Sequence, residues 1–118
     1  MTPPDLAYKL YLDRGPLRAR LLRLLRRSGL RWEDVSPAPG APRVELRRRM
    51  RAADAVVLVA PEARLELDLA RALGRPVIGV VPRGERTAPD GVPALLDERV
   101  GWNPELLADC IRQYALPD

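Results

Sequence analysis

The sequence predicts a doubly wound α/β domain, flavodoxin-like in layout, built on a single parallel sheet of four to five strands with helices on both faces. Three observations carry that expectation. Two apolar runs, "AVVLVA" (Ala55–Ala60) and "PVIGVV" (Pro76–Val81), lack any alternation, the mark of strands covered on both faces. Segments of helical period separate the strand-like segments in turn, as βαβ units require. A chain of 118 residues, 47% of them hydrophobic, has material for one core at roughly 100 to 200 residues per domain, so residues 1–118 are expected to form one domain.

The elements follow in order. "AYKLYL" (Ala7–Leu12) reads as a short strand, stopped by Asp13, Arg14, Gly15 and Pro16. From Pro16, Leu17, Leu21, Leu24 and Leu25 fall at helical spacing and Gly29 marks the stop; Arg18, Arg20, Arg23, Arg26 and Arg27 read as the solvated side of that helix. "LRWEDV" (Leu30–Val35) reads as a second, edge-like strand, and "SPAPGAP" (Ser36–Pro42) as a loop. A helix over about Pro42–Ala53 puts Leu46, Met50 and Ala53 inward and Arg47, Arg48, Arg49 and Arg51 mostly outward. The two unbroken runs are the next strands, with a helix over about Glu62–Leu73 between them, ended by Gly74. A last helix starts at "NPELLADCIRQY", where Asn103 suits the N-cap and Pro104 the first helical position. The expected sheet has "AVVLVA" at or beside its centre, flanked by "AYKLYL" and "PVIGVV".

Composition excludes several chemistries. The chain has no histidine and one cysteine, Cys110, so His-based triads, His metal sites and an internal disulfide are ruled out; no metal site is expected, and Cys110 is read as core. The first ten residues, "MTPPDLAYKL", lack a signal-type apolar run, and no stretch approaches the roughly 20 apolar residues of a membrane span, so a cytoplasmic protein without a membrane partner is expected. Charge is uneven: residues 1–51 carry 13 basic and 5 acidic side chains, residues 52–118 carry 7 and 11. Every basic residue but Lys9 is Arg. Compositional bias and a helix's solvated face explain Arg43, Arg47, Arg48, Arg49 and Arg51 more simply than a nucleic-acid surface does.

In doubly wound sheets ligands bind beyond the carboxyl ends of the strands, which directs attention to Asp13–Gly15, Ser36–Pro39, Pro61–Glu66 and Pro82–Gly84. At about 100° per residue, Leu65, Leu69, Ala70, Ala72 and Leu73 form the apolar arc of the third helix, opposite Arg64, Asp68 and Arg71. Glu62 and Glu66 fall inside that arc. The helix dipole favours acids in a first turn by about 0.3–1 kcal/mol, but it does not explain an inward-facing Glu66 at the mouth of the expected site. Asp13, Ser36, Glu62 and Glu66 are therefore expected at one cleft. Arg83, with the Gly84 backbone, is a weaker candidate for holding a phosphate.

Two stretches resemble a family. "LRRRMRAADAVVLVAPEARLELDLARALGRPVIGV" (Leu46–Val80) resembles the core of TIR-like domains, in particular the bacterial group of the Thoeris antiphage-defence system, in which a strand leads to a helix with Glu-x-x-x-Ala and then to Gly, a basic residue, Pro and an "IGV" strand. "VPALLDERVGWNPELLADCIR" (Val92–Arg112) resembles the same group, where a Gly-Trp-Asn element precedes the last helix. The resemblance implies a TIR-like domain that binds NAD⁺ as substrate and needs no cofactor. It implies cleavage of the bond between nicotinamide and ribose, with Glu66 as the catalytic residue; Asp13, Arg14, Ser36, Glu62 and Arg83, from the loops at the expected sheet edge, are then the candidates for holding the nucleotide. The product it implies is an ADP-ribose-derived cyclic signal acting on a separate effector protein, and it implies self-association through TIR–TIR contacts. A carboxylate suits this chemistry, because departure of nicotinamide leaves an oxocarbenium-like ribose centre.

The sequence also departs from the family. The first strand carries "YKLYLD" in place of a Phe-Ile-Ser-like run, and the short "PEAR" segment lacks the usual Thr, Ser and Trp before the glutamate. Two other readings therefore stand: a non-enzymatic TIR-like scaffold or nucleotide sensor, and a nucleoside deoxyribosyltransferase-like enzyme. The latter's opening strand resembles "KLYLDRGP" (Lys9–Pro16), and it would use Glu66 as a nucleophile on an N-glycosidic bond.

Overall fold

The structure, a computed structural model, describes residues 7–59, 64–82 and 98–115. In chain order the elements are β1 (Tyr8–Leu12), α1 (Arg18–Arg26), β2 (Trp32–Asp34), α2 (Arg43–Arg51), β3 (Ala55–Val59), α3 (Arg64–Ala72), β4 (Val77–Val81), β5 (Glu98–Gly101) and α4 (Pro104–Tyr114). The five strands form one sheet of order β2-β1-β3-β4-β5, parallel throughout. This is the doubly wound, flavodoxin-like arrangement, with β3 central and β1 and β4 beside it, as the unbroken apolar runs predict. Among the described residues no helix is long and apolar enough to cross a membrane.

The missing alternation of β3 has a direct cause. Ala55, Val57 and Val59 join Leu10, Leu12, Ile78 and Val80 against α1 and α4, while Val56 and Leu58 join Tyr11 and Val77 against α2 and α3. Both sets of side chains leave water, and each fully buried Val or Leu contributes roughly 1.5–3 kcal/mol. On the first face α1 supplies Leu21, Leu24 and Leu25, and α4 supplies Leu107, Ala108, Cys110 and Ile111. On the second, α2 supplies Leu46 and Met50. Asn103 caps α4 by accepting from the backbone N–H groups of Glu105 (2.9 Å) and Leu106 (3.0 Å), with Pro104 following it. Gly29 and Gly74, just beyond α1 and α3, take positive φ values of 76° and 68°, which a residue with a Cβ adopts only at a cost.

Three features differ from the sequence expectation. The first is the azimuth of α3. Leu67 is fully buried and Leu65 is 42% exposed, and Ala72 is exposed as well, so the buried arc runs through Glu66, Leu67, Leu69 and Ala70. At 100° per residue this is a rotation of roughly 60° from the predicted arc. Leu65 and Leu67 are chemically identical, and only the packing of α3 against α2 and the sheet decides which one enters the core.

The second is the solvated side assigned to α1. Arg18 reaches over the ends of β1 and β2, and Arg20 lies over the Trp102 ring at 5.9 Å from its centroid. The third is β5, a four-residue edge strand pairing with β4 alone, inside a stretch that sequence reading treated only as a family-like element.

Candidate functional site

The carboxyl edge of the sheet carries two clusters, one around Asp13 and one around Glu66. At the first, the chain leaves β1 and Asp13 donates its backbone N–H to the Val57 carbonyl (2.9 Å). Its carboxylate accepts from the backbone N–H groups of Val59 (2.8 Å) and Gly15 (2.6 Å). This ties the end of β1 to the end of β3 and closes a tight turn. A Cβ on Gly15 would stand 2.8 Å from Asp13 Oδ1, so the close approach of that carboxylate requires glycine.

Ser36 ties the other side. Its hydroxyl accepts from the Leu12 N–H (2.7 Å) and donates to the Leu12 carbonyl (3.3 Å), and its N–H donates to Asp34 Oδ1 (2.9 Å). Arg18, which the sequence reading left on the solvated side of α1, completes the corner: it donates to the Asp13 carbonyl (3.4 Å) and the Ser36 hydroxyl (3.5 Å) and pairs with Asp34. Burial alone would push the Asp34 carboxyl up, but the hydrogen bonds from Ser36 and the Arg18 guanidinium hold it below the usual carboxylate range. At the opposite edge of the sheet a further buried acid, Asp54, is bonded to the backbone of β1: its carboxylate accepts from the Lys9 N–H (2.8 Å).

The second cluster is built differently. Glu66 stands in the first turn of α3, and the rotation of that helix brings it near the middle of the buried arc, with its side chain 10% exposed. Arg14, from the turn after β1, donates through Nη2 to Glu66 Oε1 at 3.2 Å. Under them lies Tyr11, which is fully buried. Burial pushes its phenol up to about 12, the charge of Glu66 adds to that rise, and Arg14 opposes it. Arg14 thus comes close to the phenol oxygen, yet outside hydrogen-bond geometry, for the Tyr11 hydroxyl has no hydrogen-bond partner among the described residues. Neither does Arg14 Nε. Of the three buried side-chain polar atoms among the described residues that lack a partner, two belong to this cluster; the third is Arg75 Nε. Buried polar groups are nearly always bonded to protein or to ordered water, so these two atoms are the polar groups of this edge with bonding capacity left over.

The sequence-predicted residues fall as follows. Asp13, Arg14, Ser36 and Glu66 all sit at this edge, with Asp13 and Ser36 bonded mainly to backbone and Arg14 bonded to Glu66. Glu62 and Arg83 lie outside the described residues. Tyr11 escaped sequence reading because an aromatic residue in an apolar strand signals only core.

Among the described residues no group of three His, Cys, Asp or Glu side chains is placed to hold a metal ion. A separate open depression of about 800 Å³ lies on the outer side of α2, lined by Arg43, Val44, Arg47, Arg48, Arg51 and Ala52. Glu45 answers part of that charge: it pairs with Arg48 (2.6 Å) and Arg49 (2.9 Å), and those two guanidiniums pull its carboxyl down to about 2. What the sheet edge offers chemically is one desolvated carboxylate, one guanidinium with unused donors and one buried phenol, a set suited to a ligand with both sugar hydroxyls and anionic groups. No protein-family model matches the chain, and no curated protein matches it closely enough to count as a relative.

Proposed function

We propose that this chain is a TIR-like, NAD⁺-cleaving domain whose catalytic residue is Glu66. The observation that carries this reading is the buried Glu66 carboxylate at the carboxyl edge of a doubly wound sheet, beside two unpartnered polar atoms. The bond between ribose C1′ and the nicotinamide nitrogen breaks heterolytically. Its electron pair leaves with the ring, which departs neutral, and positive charge develops over C1′ and the ring oxygen. A carboxylate held in a site of low dielectric stabilises that charge, or grips the ribose hydroxyls, without having to reorganise. Water then adds to C1′ and releases its proton to solvent, or a hydroxyl of the same ADP-ribose adds in its place and closes a cyclic product. Such a product would act on a separate effector, and the active form would be an oligomer of this chain.

The ion pair from Arg14 favours a second reading, in which the edge binds a nucleotide without turning it over, because a guanidinium on the carboxylate offsets the charge the reaction needs. Nicotinamide release from NAD⁺ by the purified, concentrated protein separates the two. Wild type should release nicotinamide, and Glu66→Gln should lower the rate by about 10²- to 10³-fold while thermal unfolding changes little, since the amide keeps shape and hydrogen bonding but not charge. An inert wild type would leave the sensor reading. Base exchange between deoxynucleosides with NAD⁺ untouched would point to the transferase.

A further inference from the structure

Among the described residues the Arg14 guanidinium bonds to Glu66 alone. A guanidinium carries five N–H donors, and Arg14 spends one nitrogen, Nη2, on a single carboxylate oxygen while its buried Nε has no partner. Its backbone is fixed on both sides: Asp13 bonds to Val57 and Val59, and the Gly15 N–H bonds to Asp13. Any movement of Arg14 is therefore a rotation of its side chain about an anchored base. The side chain is 22% exposed, so an anion has access to it. In the same cluster the Tyr11 hydroxyl, fully buried, is a donor without a partner among the described residues.

We propose that Arg14 is the anion-receiving residue of this site, and that a phosphate on the ligand draws it off Glu66, leaving the carboxylate, steadied by the Tyr11 hydroxyl, to face the ligand's sugar. The inference rests on the reading of this edge as a nucleotide site and adds the class of nucleotide: phosphorylated ligands are taken and neutral nucleosides refused. A guanidinium exchanges one carboxylate oxygen for a bidentate phosphate contact, which uses the donors now idle. A neutral nucleoside has nothing to offer Arg14 and meets a carboxylate already neutralised. The ion pair also keeps a buried carboxylate from standing unpaired.

Calorimetric titration with ADP-ribose and with adenosine tests this without requiring turnover. Wild type should bind ADP-ribose at least about tenfold more tightly than adenosine. Arg14→Ala, or Arg14→Gln if the first is unstable, should remove most of that difference by weakening ADP-ribose alone. Tyr11→Phe should weaken ADP-ribose by about two- to tenfold, the scale of one lost hydrogen bond.

Glu66→Gln gives the most specific result. By releasing Arg14 from its competitor it should tighten ADP-ribose binding by about threefold or more, whereas a glutamate that merely grips the ligand would give weaker binding on substitution. No binding of ADP-ribose by wild type, unchanged binding in a folded Arg14 variant, or weaker binding in Glu66→Gln would each overturn the proposal. Binding that follows the expected pattern while NAD⁺ stays intact would retain this gate and discard cleavage. Cleavage with Arg14-independent binding would do the reverse.

Discussion

Asp13 and Glu66 are carboxylates on the same sheet edge, buried alike at 6% and 8% exposure, and they are held in opposite ways. Asp13 accepts two backbone N–H groups that cannot move without moving β3 or the turn at Gly15. Among the described residues the Glu66 carboxylate is held by one side chain, that of Arg14, through one oxygen, and atoms of Tyr11 and Arg14 in the same cluster have no partner. Burial therefore does not set these two acids apart. The identity of the partner does. Backbone donors fix a carboxylate into the fold, whereas a side-chain guanidinium can turn about its own rotatable bonds without moving a strand.

Substituting Asp13 tests the structural half with the largest expected effect. Asp13→Ala leaves the Val59 and Gly15 N–H groups without their charged acceptor, and unfolding in urea should show a loss of about 2–4 kcal/mol, as for buried bonds to charged groups. Glu66→Gln should cost no more than about 1 kcal/mol by the same measurement. If the two costs came out equal, the distinction would collapse.

Ser36→Ala removes a hydroxyl that both accepts from and donates to Leu12, and it should cost about 1 kcal/mol. It should also weaken the acid resistance of the corner. The Asp34 carboxyl lies below its usual range when folded, so its contribution is present at neutral pH and is lost as the pH falls through the acid range; removal of the Ser36 hydroxyl should shift acid unfolding to higher pH.

Tyr11→Phe is the smallest change and has the opposite sign. A buried hydroxyl without a partner contributes nothing to stability, so its removal should leave ΔG unchanged or raise it by up to about 1 kcal/mol. Its pH signature is sharper. The folded phenol is pushed from 10.0 up to about 12, so between those values the unfolded chain gives up a proton that the folded chain keeps, and stability falls as the pH rises through that window. Tyr11→Phe should remove that component of alkaline unfolding. An unaltered alkaline limb would mean that the Tyr11 phenol is not desolvated.

The sequence by itself determined what local chemistry can encode. Unbroken apolar runs specified β3 and β4 as covered strands, since both parities of side chain had to leave water. Helical spacing specified the inward residues of α1 and α2, and Asn103 with Pro104 fixed the start of α4. Glu66 stood out because an acid inside an apolar arc is a local contradiction. Tertiary structure alone decided the azimuth of α3, because a helical period gives the width of an apolar face but not its direction, and Leu65 and Leu67 are interchangeable until β4 and α2 are in place. It alone decided β5, whose pairing depends on β4 as its one neighbour, and it alone turned Arg18 from a solvated charge into part of the corner. The same holds for partner identity, which separates Asp13 from Glu66. Asp13 meets Val59 across 46 positions of chain and Arg14 meets Glu66 across 52. No local pattern spans such separations, whereas a parallel sheet, by bringing every strand end to one edge, closes them.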